Sequence, residues 1–266
     1  FSAACTASHN AQATILVVGN DETIAREGKD RTEITLPGFQ NDLIEKIEQC
    51  SGGKPIVIVI MAGAAIDISR FNRSPFSIIN LGYAGQEGGS ALADVLFGFK
   101  APAGRLPYTV YHNSFVNQVK MTDMNMRPSH NNPGRTYRFF TGKSVFPFGF
   151  GLHYTSFEFK WQTSLPSVLH AKNMTRGKLG QVSCIVTNTG SVQSDVSVLA
   201  FVVPPQAHGA PLRQLFAFDR EAAVAPGTSR VVTFAIDRSL FVGWHGHHEI
   251  VRGTYIITGP ANETKQ

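Results

Sequence analysis

The densest run of ionisable side chains in this 266-residue chain lies between Gly19 and Arg31, which reads Gly19-Asn20-Asp21-Glu22-Thr23-Ile24-Ala25-Arg26-Glu27-Gly28-Lys29-Asp30-Arg31. Asp21, Glu22, Glu27 and Asp30 share the segment with Arg26, Lys29 and Arg31. Acids and bases crowded at the end of a core element shift one another's proton affinity, and that is how a side chain becomes a proton donor or acceptor. A solvated loop whose ions merely pair satisfies the same composition, and the residues alone leave both readings open. Other chemistries find less support. The stretch Gly82-Tyr83-Ala84-Gly85-Gln86-Glu87-Gly88-Gly89 is glycine-rich ahead of a helix, but it matches neither a P-loop nor the dinucleotide fingerprint. There is no G-x-S-x-G elbow, no H-E-x-x-H pair and no C-x-x-C, so serine nucleophiles and zinc are disfavoured and neither a metal nor an organic cofactor is expected.

The elements around these residues follow from periodicity. Thr14 to Val18 is a short β-branched run closed by Gly19 and predicts a strand. Phe39, Leu43, Ile44 and Ile47 recur at helical spacing up to Cys50, between Pro37-Gly38 and Gly52-Gly53. Ile56 to Met61 is a continuous apolar run of the kind that strands show when helices cover both faces. Ser77 to Leu81 repeats the strand, and Ala91, Leu92, Val95 and Leu96 form the face of a helix stopped at Gly98. This is parallel α/β, and ligands of such sheets bind beyond the carboxyl ends of the strands, where the loops after Val18, Met61 and Leu81 converge. After Gly151 the period changes to two: Phe157, Phe159 and Trp161 alternate, and the runs Val182 to Val186, Val196 to Val203, Val231 to Ile236 and Thr254 to Ile257 follow without helical crossovers. The expected layout is an α/β domain over residues 1–118, an irregular connector over 119–150 and an antiparallel β-sandwich over 151–266.

Apolar residues at 42% and charged residues at 16% describe a folding chain long enough for two cores. No apolar stretch approaches the roughly 20 residues of a membrane-spanning helix. The net charge of +5 comes from scattered Lys and Arg without a dense basic run, which argues against a nucleic-acid partner. Cys5, Cys50 and Cys184 leave at least one thiol unpaired, and a chain opening on Phe1 without a secretory signal reads as a piece of a longer one, so a partner for Cys5 upstream is left open. Sequons at Asn72, Asn173 and Asn262 fit an extracellular, secreted glycoprotein.

At the same loops the sequence resembles glycoside hydrolase family 3. The resemblance is carried, in order, by VVGNDETIAREGKDRTEITLPG, VIVIMAGAAIDIS, GYAGQEGGSALADVLFGFKAPAGRLP, MTDMNMRP, PGRTYRFFTG and FPFGFGLHYTSF. MTDMNMRP together with PGRTYRF is most similar to the β-xylosidase branch, which includes enzymes acting on arabinofuranosides. The resemblance implies an enzyme of three parts: an N-terminal barrel that supplies an aspartate nucleophile, an α/β sandwich that supplies a glutamate acid/base, and a fibronectin type III-like domain. The first part is absent from this sequence. The family's E-x-E-G-x-D-R motif falls on Ala25 to Arg31, so Glu27 matches the second glutamate while Ala25 replaces the first. Glu27 is the implied acid/base, with Glu22 as the fallback. Asp30 and Arg31 are implied to hold the loop as a charge pair, and Tyr83 and Gln86 to lie on the same edge as binding residues. The resemblance thus implies a retaining exo-glycosidase acting on β-xylosidic oligosaccharides without a cofactor, inactive without its barrel. A non-catalytic carbohydrate-binding or scaffold module, and a β-glucosidase or α-L-arabinofuranosidase, are the competing readings.

Overall fold

A computed structural model describes residues 1–164, 168, 170, 178–206, 209–244 and 248–259. The chain enters through a helix that apolar periodicity does not announce, α1 (Ser2–Asn10), and then forms β1 (Thr14–Gly19), α2 (Gln40–Cys50), β2 (Ile56–Met61), β3 (Phe76–Asn80) and α3 (Gly88–Leu96). The three strands are parallel in the order β1-β2-β3, as the run of apolar segments and helices requires. Successive residues of a strand face opposite sides of the sheet. One side buries Ile56, Ile58 and Ile60 with Val18, against Ile44 and Ile47 of α2 and Leu36, Ile66 and Phe71 of the loops. On the other side Val59 is fully buried, yet Ile15 and Val17 on the edge strand are 48% and 57% exposed. The two-faced burial expected of Ile56 to Met61 therefore holds for most of β2, while the edge strand β1 leaves one face open.

The expectation left open for Cys5 is corrected by the fold. Cys5 on α1 pairs with Cys50 at the end of α2, with Cα atoms 5.4 Å apart, and Cys184 is the buried free thiol. Sequence spacing could not show this, because the pairing depends on α1 lying along α2, to which Ser8 Oγ and Thr14 Oγ1, 2.8 Å apart, and the hydrogen bond from Lys54 Nζ to His9 O also contribute.

The stretch from residue 119 to 150 is largely irregular but firmly braced. The short helices α4 (Phe115–Gln118) and α5 (Thr136–Phe139) flank a loop in which Asp123 accepts hydrogen bonds from Asn125 and Asn132, and Arg135 donates to the Asp123 carbonyl. Tyr137 of α5 stacks on Phe148, with ring centres 4.3 Å apart, and packs edge-on against Phe201. Its hydroxyl accepts from Leu215 N–H, which fastens the connector to the β layer.

Among the described residues that layer holds β4 (Phe157–Thr163), β5 (Lys178–Asn188) and β8 (Ser229–Asp237) in one antiparallel sheet, with order β4-β5-β8. A second holds β6 (Ser194–Val203), β7 (Gln214–Val224) and β11 (Ile256–Thr258), with order β11-β6-β7. β9 (Val242–Trp244) and β10 (His248–Ile250) form a separate ribbon. Val182, Cys184, Val186, Val232, Phe234 and Ile236 from one sheet meet Val196, Val198, Ala200 and Val224 from the other, the two-residue alternation seen in the sequence. Asn188 is completely buried at a corner of this sandwich, with its amide bonded to Val192 O and Val224 O and its side-chain oxygen to Thr155 Oγ1 and Gly190 N–H.

Candidate active site

The carboxyl ends of β1 and β2 come so close that a Cβ at Gly19 would lie 1.8 Å from the carbonyl oxygen of Met61, so only glycine fits there. The side-chain amide of Gln40 then behaves like a neighbouring strand. It accepts from Gly19 N–H at 2.7 Å and donates to Gly19 O at 2.8 Å. This fixes the direction in which the charged loop leaves the sheet.

Within the loop, Asp21 Oδ1 accepts from both the backbone and the hydroxyl of Thr23, which holds the Asp21 carboxyl below its ordinary pKa. Arg26 and Lys29 then exchange two backbone hydrogen bonds, of 3.1 and 2.9 Å, around a two-residue tip made of Glu27 and Gly28. Gly28 has φ +74° and Glu27 does not have a positive φ, the pattern of a type II turn, whose third position favours glycine. Glu27 therefore stands at the exposed apex of a rigid turn, and among the described residues no hydrogen bond or ion pair engages its carboxylate.

The remaining predicted residues are placed as follows. Glu22 is exposed earlier on the same loop, and its carbonyl accepts from Arg26 Nη1. Asp30 is exposed as well. The expected charge pair between Asp30 and Arg31 is not formed: Arg31 turns inward and donates from Nη2 to Ala65 O at 3.1 Å, while Asp30 points to solvent. Neighbouring residues on an extended segment diverge, and the carbonyl offered by the loop after β2 is the nearer partner for a guanidinium going inside. Burial pushes the Arg31 pKa down, with the Tyr83 phenol opposing the shift, and Nη1 is buried without a hydrogen-bond partner. Tyr83 lies on this edge, since its hydroxyl donates to Asn20 O at 2.9 Å. Gln86 is exposed on the loop that follows it, ahead of α3.

Several residues that build the site stand outside the E-x-E-G-x-D-R motif and any apolar period, although Asn20, Ile34 and Asp67 lie in stretches that carry the resemblance. Asp67 Oδ1 accepts from Ser69 N–H and Oδ2 from Asn113 N–H, while Asp67 N–H donates to Ile34 O and Ile34 N–H to Asn113 Oδ1. These bonds lock the exit of the charged loop to the loop after β2 and to the start of α4. Gln40 and Asn20 belong with them; Asn20 is 8% exposed. Gln40 and Asn113 lie in none of those stretches, and nothing in the sequence marks them. Beside the loop lies an open groove of about 640 Å³ lined by Asp21, Thr23, Ile24, Phe39, Met61 and Tyr83, among others. Among the described residues no group of three His, Cys, Asp or Glu side chains is placed to hold a metal ion. The loop thus presents exposed carboxylates at Glu22, Glu27 and Asp30, with Glu27 at the tip of its turn, while Asp21, Thr23 and Ile24 of the same loop line the groove.

Comparisons with known proteins bear on the family of the chain. Residues 1–154 match the glycosyl hydrolase family 3 C-terminal domain. A probable exo-1,4-beta-xylosidase of Aspergillus fumigatus is 40% identical over 250 residues, which cover 89% of this chain and 32% of that protein. Beta-D-xylosidase 1 of Arabidopsis thaliana is 37% identical over 271 residues, covering 91% of this chain and 35% of the plant protein. Among solved structures, a GH3 exo-beta-xylosidase in complex with a xylobiose aziridine activity-based probe superposes with a TM-score of 0.79 at 36% identity, covering 87% of this chain and 32% of that one. A beta-glucosidase from Chaetomella raphigera superposes with a TM-score of 0.79 at 25% identity, covering 97% and 39%. The chain thus spans about a third of the length of these relatives, and what they share with it from the first helix to the start of the β-sandwich makes it a member of glycosyl hydrolase family 3.

Proposed function

We propose that this chain forms part of a retaining exo-glycosidase that cleaves β-xylosidic bonds of xylan-derived oligosaccharides, and that Glu27 is its acid/base. The observation that carries the reading is the Glu27-Gly28 turn, which sets the matched glutamate at the tip of the loop after β1; Glu22 and Asp30 are exposed too and, among the described residues, as free of side-chain partners, and the turn position is what favours Glu27. A retaining glycosidase uses two carboxylates, one attacking the anomeric carbon and one, held protonated, delivering a proton to the leaving oxygen. The attacking carboxylate is assigned to a barrel that precedes residue 1 in the complete protein, in keeping with relatives three times as long. The exposed Ile24, Phe39 and Met61 beside the turn suit a surface that such a partner covers. Asp30, Arg31, Tyr83 and Gln86 are assigned to binding and loop support. The division into residues 1–118, 119–150 and a fibronectin type III-like 151–266 belongs to the same reading. So does secretion: the Cys5–Cys50 disulfide suits an oxidising compartment, Asn72 is exposed, and Asn173 and Asn262 lie outside the described residues. The similarity to a beta-glucosidase supports one second reading, a glucoside in place of a xyloside with the same carboxylate.

The test uses the full-length polypeptide. Glu27→Gln removes proton delivery, so hydrolysis of xylobiose should fall by about 10² to 10⁴-fold, whereas a dinitrophenyl xyloside, whose leaving group needs no proton, should suffer far less in glycosylation. Azide should restore part of its turnover, because a small anion attacks the glycosyl-enzyme without a base. If Glu22→Gln shows this pattern and Glu27→Gln does not, Glu22 is the acid/base.

A further inference from the structure

The loop that follows α4 is built inside out. From Val119 to Arg135 its polar side chains are spent on the loop itself. Asp123 Oδ1 accepts from the backbone N–H and the side-chain amide of Asn125, and Oδ2 accepts from the amide of Asn132, which is 2% exposed and takes Gly134 N–H on its own side-chain oxygen. Arg135 donates from Nη2 to Asp123 O and from its backbone N–H to Met126 O. The apolar side chains point the other way: Met121, Met124 and Met126 are 65%, 83% and 40% exposed. A loop meant for water has the opposite arrangement, because burying polar groups and exposing apolar ones both cost free energy. The frame is also held from outside. Arg127 donates from Nε to Gly209 O at 2.8 Å and lies over the Phe139 ring. Thr136, where the loop runs into α5, keeps a φ of +60° that a β-branched residue seldom adopts, with its N–H donating to Tyr111 Oη. Three methionines on a fixed frame make an apolar surface whose unbranched side chains still adapt to what they meet.

We infer that this methionine face is a docking surface for the stretch of polypeptide that precedes residue 1, and that it helps to hold that stretch over the Glu27 turn. The surface rests on the reading that the attacking carboxylate comes from there. Its location suits that occupant. Asn113 ties the exit of the charged loop and the loop after β2 to the chain just ahead of α4, and α4 is only four residues long, so the methionine loop begins beside the same edge of the sheet. The length of the relatives suits it too, since this chain covers 32% of the Aspergillus fumigatus protein and 35% of the Arabidopsis one. A body of that size, whose carboxylate must stand about 5 to 5.5 Å from that of Glu27, needs more than one point of contact to hold the distance. Methionine is among the residues enriched where proteins meet. Together with Ile24, Phe39 and Met61, the face at Met121, Met124 and Met126 gives the interface two footings instead of one, which fixes an angle as well as a distance.

The test follows methionine oxidation by dilute hydrogen peroxide, read by mass spectrometry at each site, in this chain and in the full-length polypeptide. Sulfoxide formation tracks exposure. In this chain Met121 and Met124 should oxidise within about threefold of the rate of free methionine, and in the full-length polypeptide about tenfold more slowly than that. Equal rates in the two overturn the docking surface. Protection in this chain alone that grows with its concentration assigns the face to a second copy and overturns it as well. A variant gives an independent readout: Met124→Glu should leave the melting temperature of this chain within about 1 °C of the parent and lower that of the full-length polypeptide by about 3 °C, because only there is the new charge buried. An equal shift in both places the defect within the loop and overturns docking. The acid/base reading fails separately, through leaving-group dependence, on which the oxidation rates do not bear.

Discussion

Glu27 owes its position to its neighbour. A side chain at Gly28 would force a positive φ on a residue with a Cβ, so the glycine that follows the glutamate in the motif is a requirement of the turn. That the loop is charged was legible in the sequence; which of its acids stands at the tip of a turn was not, because it depends on the backbone pairing of Arg26 with Lys29. The partner of Arg31 was equally illegible, since Ala65 is 34 positions away and offers a main-chain carbonyl that no side-chain pattern reveals. At the other end of the chain, burial raises the Cys184 thiol to about 11 from 9.0. A raised thiol stays protonated in the folded state while the unfolded chain ionises, so its contribution to stability is complete below pH 9 and is lost as pH rises from 9 to 11. Chemical denaturation across that window should show a decline that is smaller in Cys184→Val, and an equal decline in both would mean that the thiol does not titrate there.

At the scale of elements, the sequence announces best what burial alternates. β5 and β8 show apolar residues at every second position because each lies between a core and solvent, and those residues are the ones the sandwich buries. β1 and β2 look alike as apolar runs but differ in place, since an edge position leaves Ile15 and Val17 uncovered, and edge or centre is a property of the sheet order. α1 is invisible for another reason: SAACTASHN has no apolar stripe, and the helix is held by a disulfide and a few polar contacts. Asn188 combines both lessons. It follows the alternating run of β5, yet it is a polar residue in a buried position, with four hydrogen bonds that join β5, the start of β6, the end of β7 and the approach to β4. Asn188→Ala leaves two carbonyls and two donors without partners, and a loss of about 3 kcal/mol is expected in urea unfolding. A loss below about 1 kcal/mol would show that water replaces the amide.

For the molecule as a whole, the catalytic proposal divides one reaction between two stretches of polypeptide. The carboxyls of a retaining enzyme must lie about 5 to 5.5 Å apart, and the proposal has the second one arrive from the barrel. Purified, this chain should release no nitrophenol from an aryl β-xyloside above the buffer rate, and turnover that disappears in Glu27→Ala would place both carboxylates here. The chain nevertheless carries its half of the site in a durable form. The Cys5–Cys50 bridge closes a loop of 45 positions that contains β1, the Glu27 turn and most of α2, and restricting the unfolded chain in this way is worth roughly 4 kcal/mol. It also makes the turn part of a covalent ring. A single backbone cut at exposed Arg26 or Lys29 would open the ring without releasing either end, so parting β1 from β2 takes two chemical events, one at a peptide bond and one at sulfur.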